Sequence, residues 1–402
     1  MDLFNRAAIA SDRVSCVSLD GLPTHDTIWD LYMTPTDILY IGACIEHTSG
    51  GSACLCSYHC ANGAMSYLAD MAEVTGDRPE TGIAPHGKIH FSICQGSDGL
   101  IYGATHCTTA PRGDPAWSPW TMYCDPVRHY PGAHLFVHDP GTGETRSLGI
   151  LTPHEGVRVM RLDSQRMVFH GTTYPKNHYF TYDLRKRELR DLGRIGNIHQ
   201  LCLFIDDEGN AYTTDHFGRL ILCEPGADTL KMLDVQLPHA PFRRGEYNIM
   251  LSAAREPATG AVYGTTYSMD MRIFRFDPRR CEVTDCGTPY GWADRPYPMA
   301  RHEPGVRGRV EIFPGGVTFG TDGMLYYPIA GAGRTEDGPC EGHLMRYDPR
   351  TEESEDLGVL TADGHVFTGS GCHSKTDSRG NIYIVEDAAT PPHFFVYRPE
   401  GS

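Results

Sequence analysis

Imidazoles, phenols and guanidiniums recur at matching places along this chain, and together they suit proton transfer beside an acidic sugar. The candidates are His86, His90, His106, Tyr174, His199 with Gln200, His216, Tyr247 with Asn248, and Tyr267. Arg243 and Arg244 lie in a nearby entry loop. The segment 107–133 adds Arg112, Trp117, Trp120, Tyr123, Arg128, His129 and Tyr130. His and Tyr can remove and return protons, and a neutral His is available as a base near pH 7 without a large shift. Arg pairs with a carboxylate through two parallel N–H donors. Aromatic rings such as Trp117 and Trp120 stack on sugar faces and would shape the sugar subsites. Other chemistries leave no trace. No Gly-rich phosphate loop precedes a helix, and no Ser-centred strand-to-helix elbow occurs. Of acids near these positions there are only Asp215 and Asp387, so a carboxylate pair for glycoside hydrolysis is not evident.

The elements that must position these groups are repeats. An aromatic-centred strand, a turn and a second strand recur seven times. Clear copies are LIYGATH (100–106) followed by HLFVHDPGTGETRSLG (134–149), and AVYGTTY (261–267) followed by RIFRFDPRRCEVTDCG (272–287). MLYYPIA (324–330) is followed in the same way by HLMRYDPRTEESEDLG (343–358). The repeated aromatics are Tyr40, Tyr102, Phe169, Tyr212, Tyr263, Tyr326 and Tyr383, and the shortest interval, Phe169 to Tyr212, spans 43 positions. That is about the length of one four-stranded propeller blade. Alternation is of period two, as strands require. Asp98-Gly99, Glu208-Gly209, Asp322-Gly323 and Arg379-Gly380 supply the turns before the phrases. The pattern predicts an all-β, seven-bladed β-propeller, a single domain over 1–402. The N-terminal RVSCVSL (13–19) completes the last blade and closes the ring. The one candidate amphipathic helix is 62–74.

In such a blade the innermost strand runs from one face to the other, and the second strand returns. Counting four past each repeat aromatic gives Cys44, His106, Thr173, His216, Tyr267, Ala330 and Asp387, with Tyr174 replacing Thr173 after a slip of one. These strand ends share one face with the starts of the inner strands, where His86, His90, His154 and His199 stand. The long loops 107–133, 289–315 and 330–342 crowd the same face, which marks it as the binding side.

The chain has 402 residues, 44 Gly, 28 Pro, 14 Cys and a formal net charge of −16. That charge argues against nucleic acid, whose binding needs basic surface. No apolar run is long enough to span a membrane, and MDLFNRAAIASDR lacks a signal-peptide core, so the chain as written reads as cytoplasmic; a trimmed, secreted protein would look the same. Scattered cysteines suit a reducing compartment, mostly free and buried, although Cys107 with Cys124 or Cys281 with Cys286 could bridge under oxidation. CLCSYHC (54–60) and Cys372-His373 offer soft ligands at spacings that match no strong zinc signature.

One stretch, HGKIHFSI…DGLIYGATH (residues 86–106), resembles the seven-bladed β-propeller polysaccharide lyases of the ulvan lyase and L-rhamnose-α-1,4-D-glucuronate lyase type. The repeat organisation extends that resemblance over nearly the whole chain. In those families two histidines bracket one hairpin of an early blade, as His86 and His106 do here, and His90 is an alternative to His86. Tyr174 corresponds to the family's Tyr. Arg158, Arg243 and Arg244 are the candidates for its Arg. The resemblance implies β-elimination at a uronic acid in an acidic oligo- or polysaccharide. His106 and Tyr174 would be the base/acid pair, and His86 or His90 would polarise the carboxylate. No organic cofactor is required; a bound ion would be structural or would assist at the carboxylate. Two other readings remain from the fold: a metal-dependent propeller hydrolase or lactonase, and a non-catalytic glycan- or protein-binding propeller.

Overall fold

The computed structural model describes residues 7–115, 119–238, 247–268, 271–289, 311–332, 334–335, 338–339, 342–367, 373–386 and 389–400. Seven antiparallel sheets follow one another along the chain, each built around one repeated phrase. The first comprises Thr27–Met33, Ile38–Cys44, Cys54–His59 and Ala64–Asp70. In the second, a broken inner strand (Lys88–Ile89, then Cys94–Gln95) precedes Ile101–His106, Gly132–His138 and Thr145–Pro153. The third comprises Gly156–Asp163, Val168–Tyr174, His178–Asp183 and Glu188–Arg194. In the seventh, Ser374–Thr376, Ile382–Val385 and His393–Tyr397 are completed by the N-terminal Val14–Ser18, in register from Val14↔Tyr397 to Ser18↔His393. By internal contacts the chain divides into Leu19–Asp234 with Ala389–Pro392, and Met1–Ser18 with Val235–Ala388 and His393–Ser402.

The repeated phrase has a structural reason. Its tyrosine latches the turn before it: the hydroxyl of Tyr102 donates to Asp98 at 2.7 Å, that of Tyr326 to Asp322 at 2.7 Å, and that of Tyr383 to Asp377 at 3.0 Å. Its glycine makes room for a ring. Gly103, Gly171 and Gly264 pair across the strand with Phe136, Phe180 and Phe274. A Cβ at these glycines would stand 2.3, 2.5 and 2.5 Å from the Phe ring carbons. No side chain larger than hydrogen fits beneath the ring, so the residue type is set by packing.

Apolar side chains fill the spaces between successive sheets. Cys94, Tyr102, Leu135 and Val137 of the second sheet pack on Val157, Met160, Phe169 and Phe180 of the third. The helix expected over 62–74 is mostly strand: Ala64–Asp70 pairs with Cys54–His59, and only Met71–Thr75 is helical. Asp70 stops the strand by accepting the Ala72 N–H at 2.7 Å, an N-cap that starts the single helical turn. Among the described residues no helix is long and apolar enough to cross a membrane.

Of the three loops singled out in the sequence, 107–133 contains the helix Pro119–Cys124, with Trp117 outside the described residues. Loop 289–315 lies almost wholly outside them, and 330–342 is described in part, as the small hairpin Arg334–Thr335/Gly338–Pro339. Cys107, Cys124, Cys281 and Cys286 are free thiols, so neither of the two possible bridges is formed.

Candidate active site

His106 ends the second strand of the second sheet, and Tyr174 ends the equivalent strand of the third. Their rings meet edge to face, centroids 5.2 Å apart and planes at 74°. The close approach depends on Gly156, the first residue of the third sheet, where a Cβ would lie 2.1 Å from His106 Nδ1. His106 is fully buried, and neither ring nitrogen has a hydrogen-bond partner among the described residues. Burying a polar group without a partner costs free energy, and both nitrogens of this imidazole can still bond to a ligand. Burial, helped by Arg158 and Lys88, drives its pKa well below the ordinary histidine value. At neutral pH it is an uncharged base.

Three further groups surround the pair. His199 stands edge-on to Tyr174, centroids 5.4 Å apart, and burial next to Arg158 takes its pKa down to about 2. The Arg158 guanidinium carbon lies 5.6 Å from the centre of the Tyr174 ring, within cation–π range. Burial raises the Tyr174 pKa, with Arg158 opposing, so its phenol keeps its proton. His90 lies 5.2 Å from His106, ring centre to ring centre. Its Nδ1 faces the Arg158 carbonyl oxygen at 2.7 Å, so Nδ1 carries the proton and donates. The lone pair is therefore on Nε2, which is buried with no partner among the described residues.

His86 and His90 differ in their surroundings. His86 Nδ1 lies 2.9 Å from Thr105 Oγ1 and 3.0 Å from the Tyr130 hydroxyl, and its ring packs on Tyr130 and His134. Burial and the neighbouring His134 push its pKa down to about 3. His90 is the one that joins His106. Tyr130 and Tyr123, both from the 107–133 loop, are buried; Tyr123 donates to the Cys107 carbonyl at 2.8 Å and touches the rings of both His106 and Tyr174.

Three residues that carried no role in the sequence support the site. Lys88 is 1 % exposed, forms an ion pair with Glu46 at 2.6 Å, and has its ammonium 4.3 Å from the centre of a Trp29 ring. Trp29 stacks on His90 at 5.0 Å and 16°, and its indole N–H donates to Glu46 at 2.5 Å. Burial alone would raise the Glu46 carboxyl, but Lys88 and the Trp29 bond outweigh it and hold the group below its usual value. No break in an apolar pattern marked Lys88: residues 86, 88 and 90 are His, Lys and His, so a third polar side chain at that spacing did not stand out.

The remaining candidates have contacts of their own or lie outside the described residues. His216 packs on Phe217, its Nδ1 buried and without a partner among the described residues, and Gly196 lies against it. Tyr247 and Tyr267 pair with each other at 5.2 Å. His129 bonds His154, ring nitrogen to ring nitrogen, at 2.9 Å. Arg243, Arg244, Cys372 and Asp387 lie outside the described residues, as does Trp117; Trp120 sits in the helix Pro119–Cys124. Cys54 and Cys56 of the CLCSYHC segment touch, sulfur to sulfur, at 3.7 Å, both buried. The described residues that come together at metal-ligand spacing are Cys16, His365 and His393.

No protein-family profile matches the chain, and no curated protein is similar to it in sequence. Solved structures match its fold. RRP9 WD40 repeats superpose with a TM-score of 0.59 at 9% identity, covering 97% of this chain and 99% of that one. Virginiamycin B lyase from Staphylococcus aureus gives 0.57 at 11% identity over 96% and 99%. An extracellular domain assigned to a one component system of B. thetaiotaomicron gives 0.58 at 11% identity; this chain covers 40% of that chain, with 97% of its own residues matched. Seven four-stranded blades and these matches define the class: the chain is a seven-bladed β-propeller. Such propellers include a lyase and WD40 repeats, so the fold alone does not assign an activity.

Proposed function

We propose that this propeller is a polysaccharide lyase that cleaves a uronate-containing glycan by β-elimination. The observation that carries the reading is His106: an uncharged imidazole with both nitrogens buried and unpartnered among the described residues, edge-on to a protonated phenol. A β-elimination needs a base for the C5 proton and an acid for the oxygen leaving C4. His106 takes the C5 proton, and the electron pair moves into the C4–C5 bond as the C4–O bond breaks. Tyr174 gives its proton to the leaving oxygen, and the product ends in a 4,5-unsaturated uronate. His106 then returns a proton to the phenolate, through solvent or directly.

The difficult point is the carbanion-like state at C5, which the adjacent carboxylate must share. A fixed cation does most there, because it needs no reorganisation as charge develops. Arg158, beside Tyr174 and felt by His90, His106 and His199, fills that role. His90 Nε2 accepts a sugar hydroxyl or a protonated carboxylate. Trp117, Trp120, Arg243 and Arg244 are proposed as further substrate contacts. Acidic glycan is the partner, held locally despite the net charge of −16.

The test is incubation with a panel of glucuronate- and iduronate-containing glycans, following ultraviolet absorbance of the unsaturated product. Absorbance that rises with the native protein and stays flat with His106→Ala supports elimination. Reducing ends without absorbance would mean hydrolysis, and no product across the panel would mean a binding propeller; either overturns the reading.

A further inference from the structure

A second cluster of reactive side chains lies in the part of the chain formed by 1–18, 235–388 and 393–402, and the proposed lyase chemistry does not use it. Cys16 Sγ and ring nitrogens of His365 and His393 all lie within 4.8 Å of one another. The three come from the two ends of the chain and a hairpin. Cys16 sits in the N-terminal strand, and His393 begins the strand that pairs with it. His365 follows the two-residue Asp363-Gly364 turn of the hairpin Thr361–Ala362/His365–Val366. That hairpin is tied down: the Cys16 backbone N–H donates to Asp363 Oδ2 at 3.2 Å. Main-chain pairing thus presets all three positions before any ligand binds.

Three observations point to a ligand. His393 is 7 % exposed, and its Nε2 is buried with no hydrogen-bond partner among the described residues. The His365 and His393 rings are 4.7 Å apart, close enough for both to share one ion. A carboxylate stands beside them: Glu386, 1 % exposed, places Oε2 3.7 Å from His393 Nε2. Asp363, which accepts the Cys16 backbone N–H, adds a second carboxylate beside the cluster.

We propose that Cys16, His365 and His393 bind one zinc-class cation beside the Glu386 carboxylate, and that the ion staples the N-terminal strand to the last blade. One thiolate and two imidazoles select a borderline-soft, tetrahedral metal over magnesium or calcium. Binding releases the Cys16 proton, so affinity falls as pH falls. Because the ligands converge only when Val14–Ser18 is paired, the ion binds the folded state and stabilises it by mass action. The site makes no use of His106, Tyr174 or Arg158, so it stands or falls apart from the lyase reading.

The experiment uses the full chain, reduced and freed of metal by chelation, and titrates it with Zn2+ and with Co2+. The expected result is one Co2+ bound with thiolate-to-cobalt charge-transfer absorption and tetrahedral d–d bands, and a Tm that rises with free Zn2+. Cys16→Ser should abolish the charge-transfer absorption. His365→Gln, at an exposed position that leaves the fold intact, should weaken Zn2+ binding by at least about tenfold. Cobalt spectra without thiolate absorption, or equal Zn2+ affinity in native protein and His365→Gln, would overturn the proposal.

Discussion

The His106 imidazole meets the Tyr174 phenol edge to face, 5.2 Å between ring centres, although 68 positions separate the two in the chain. They meet because each ends the same strand of successive blades, and because Gly156 leaves the space between them open. The pair holds an uncharged base next to a protonated acid. Arg158→Gln keeps the pair and removes the cation beside it. We expect kcat/KM for a uronate glycan to fall by about 10²–10³, mostly through kcat, because the cation acts on charge that develops in the transition state. Steady-state kinetics at matched pH check this; an effect confined to KM would place Arg158 in ground-state binding instead.

Replacing Tyr174 with Phe should lower kcat by about 10²–10⁴ while leaving stability nearly unchanged. The hydroxyl is the group lost, and the ring that packs against His106, Tyr123 and His199 remains. A glycan carrying a better leaving group at C4 should recover part of the loss, since it needs less help from an acid. Full activity in Tyr174→Phe would remove the phenol from the mechanism.

Stability should decline on acidification below about pH 6.5. His86, with a pKa pushed down to about 3 by burial, His170, down to about 4, and His199, down to about 2, are neutral in the native protein. His90 and His106 are shifted in the same direction. In the unfolded chain each titrates near the ordinary histidine value, so between that value and the native one the unfolded state binds more protons. The stabilisation is complete above the unfolded pKa and is lost progressively as pH falls towards the native pKa values. Thermal melts from pH 7.5 to 4.5 should show a falling Tm, and His170→Asn, remote from catalysis, should flatten the slope.

Lys88 and Glu46 form an ion pair buried under Trp29 and His90. Lys88→Met alone leaves the partly buried Glu46 carboxylate, 23 % exposed, without its cation and should cost about 1–3 kcal/mol in urea unfolding. The double variant Lys88→Met/Glu46→Leu should recover most of that loss, because removing both charges also removes their desolvation. Activity should not recover, since the positive field over His106 is gone. Additive losses in the double variant would mean that the pair is not coupled.

The glycine of the repeat phrase answers to packing. Gly103→Ala presses a methyl group into the Phe136 ring and should destabilise by about 1–3 kcal/mol. Phe136→Leu in the same chain should relieve much of the strain, giving a double-mutant coupling that two independent sites would not show.

Most of the blade plan was legible because it is local. Alternation, Asp-Gly turns and a repeated aromatic describe one hairpin at a time, and seven such hairpins made the propeller readable without a partner strand in view. The same logic reached His106 and Tyr174, since equivalent positions in equivalent blades come to equivalent places. The stretch 62–74 was a candidate helix only: apolar residues at mixed spacing satisfy both periods, and the pairing of Ala64–Asp70 with Cys54–His59 makes most of it strand.

His86 and His90 could not be separated in the sequence, since strand alternation places both on one side. Tyr130, from the far end of a long loop, captures His86 together with Thr105, and Arg158 orients His90 through its carbonyl. Trp29, Glu46 and Lys88 come from three separate segments, so no local pattern announces them.

The amino-acid sequence by itself determined the seven-fold repetition, the strand ends that carry imidazoles and phenols, and the closing role of the N-terminal strand. Those are consequences of backbone preference and of period-two burial, which act within a few residues. Tertiary structure decided which imidazole is held in a structural network and which is left unpartnered, brought Arg158 beside Tyr174, and set where a thiol meets two histidines. Protonation and metal affinity depend on desolvation and on charges within a few ångströms, and chain segments far apart in sequence supply both.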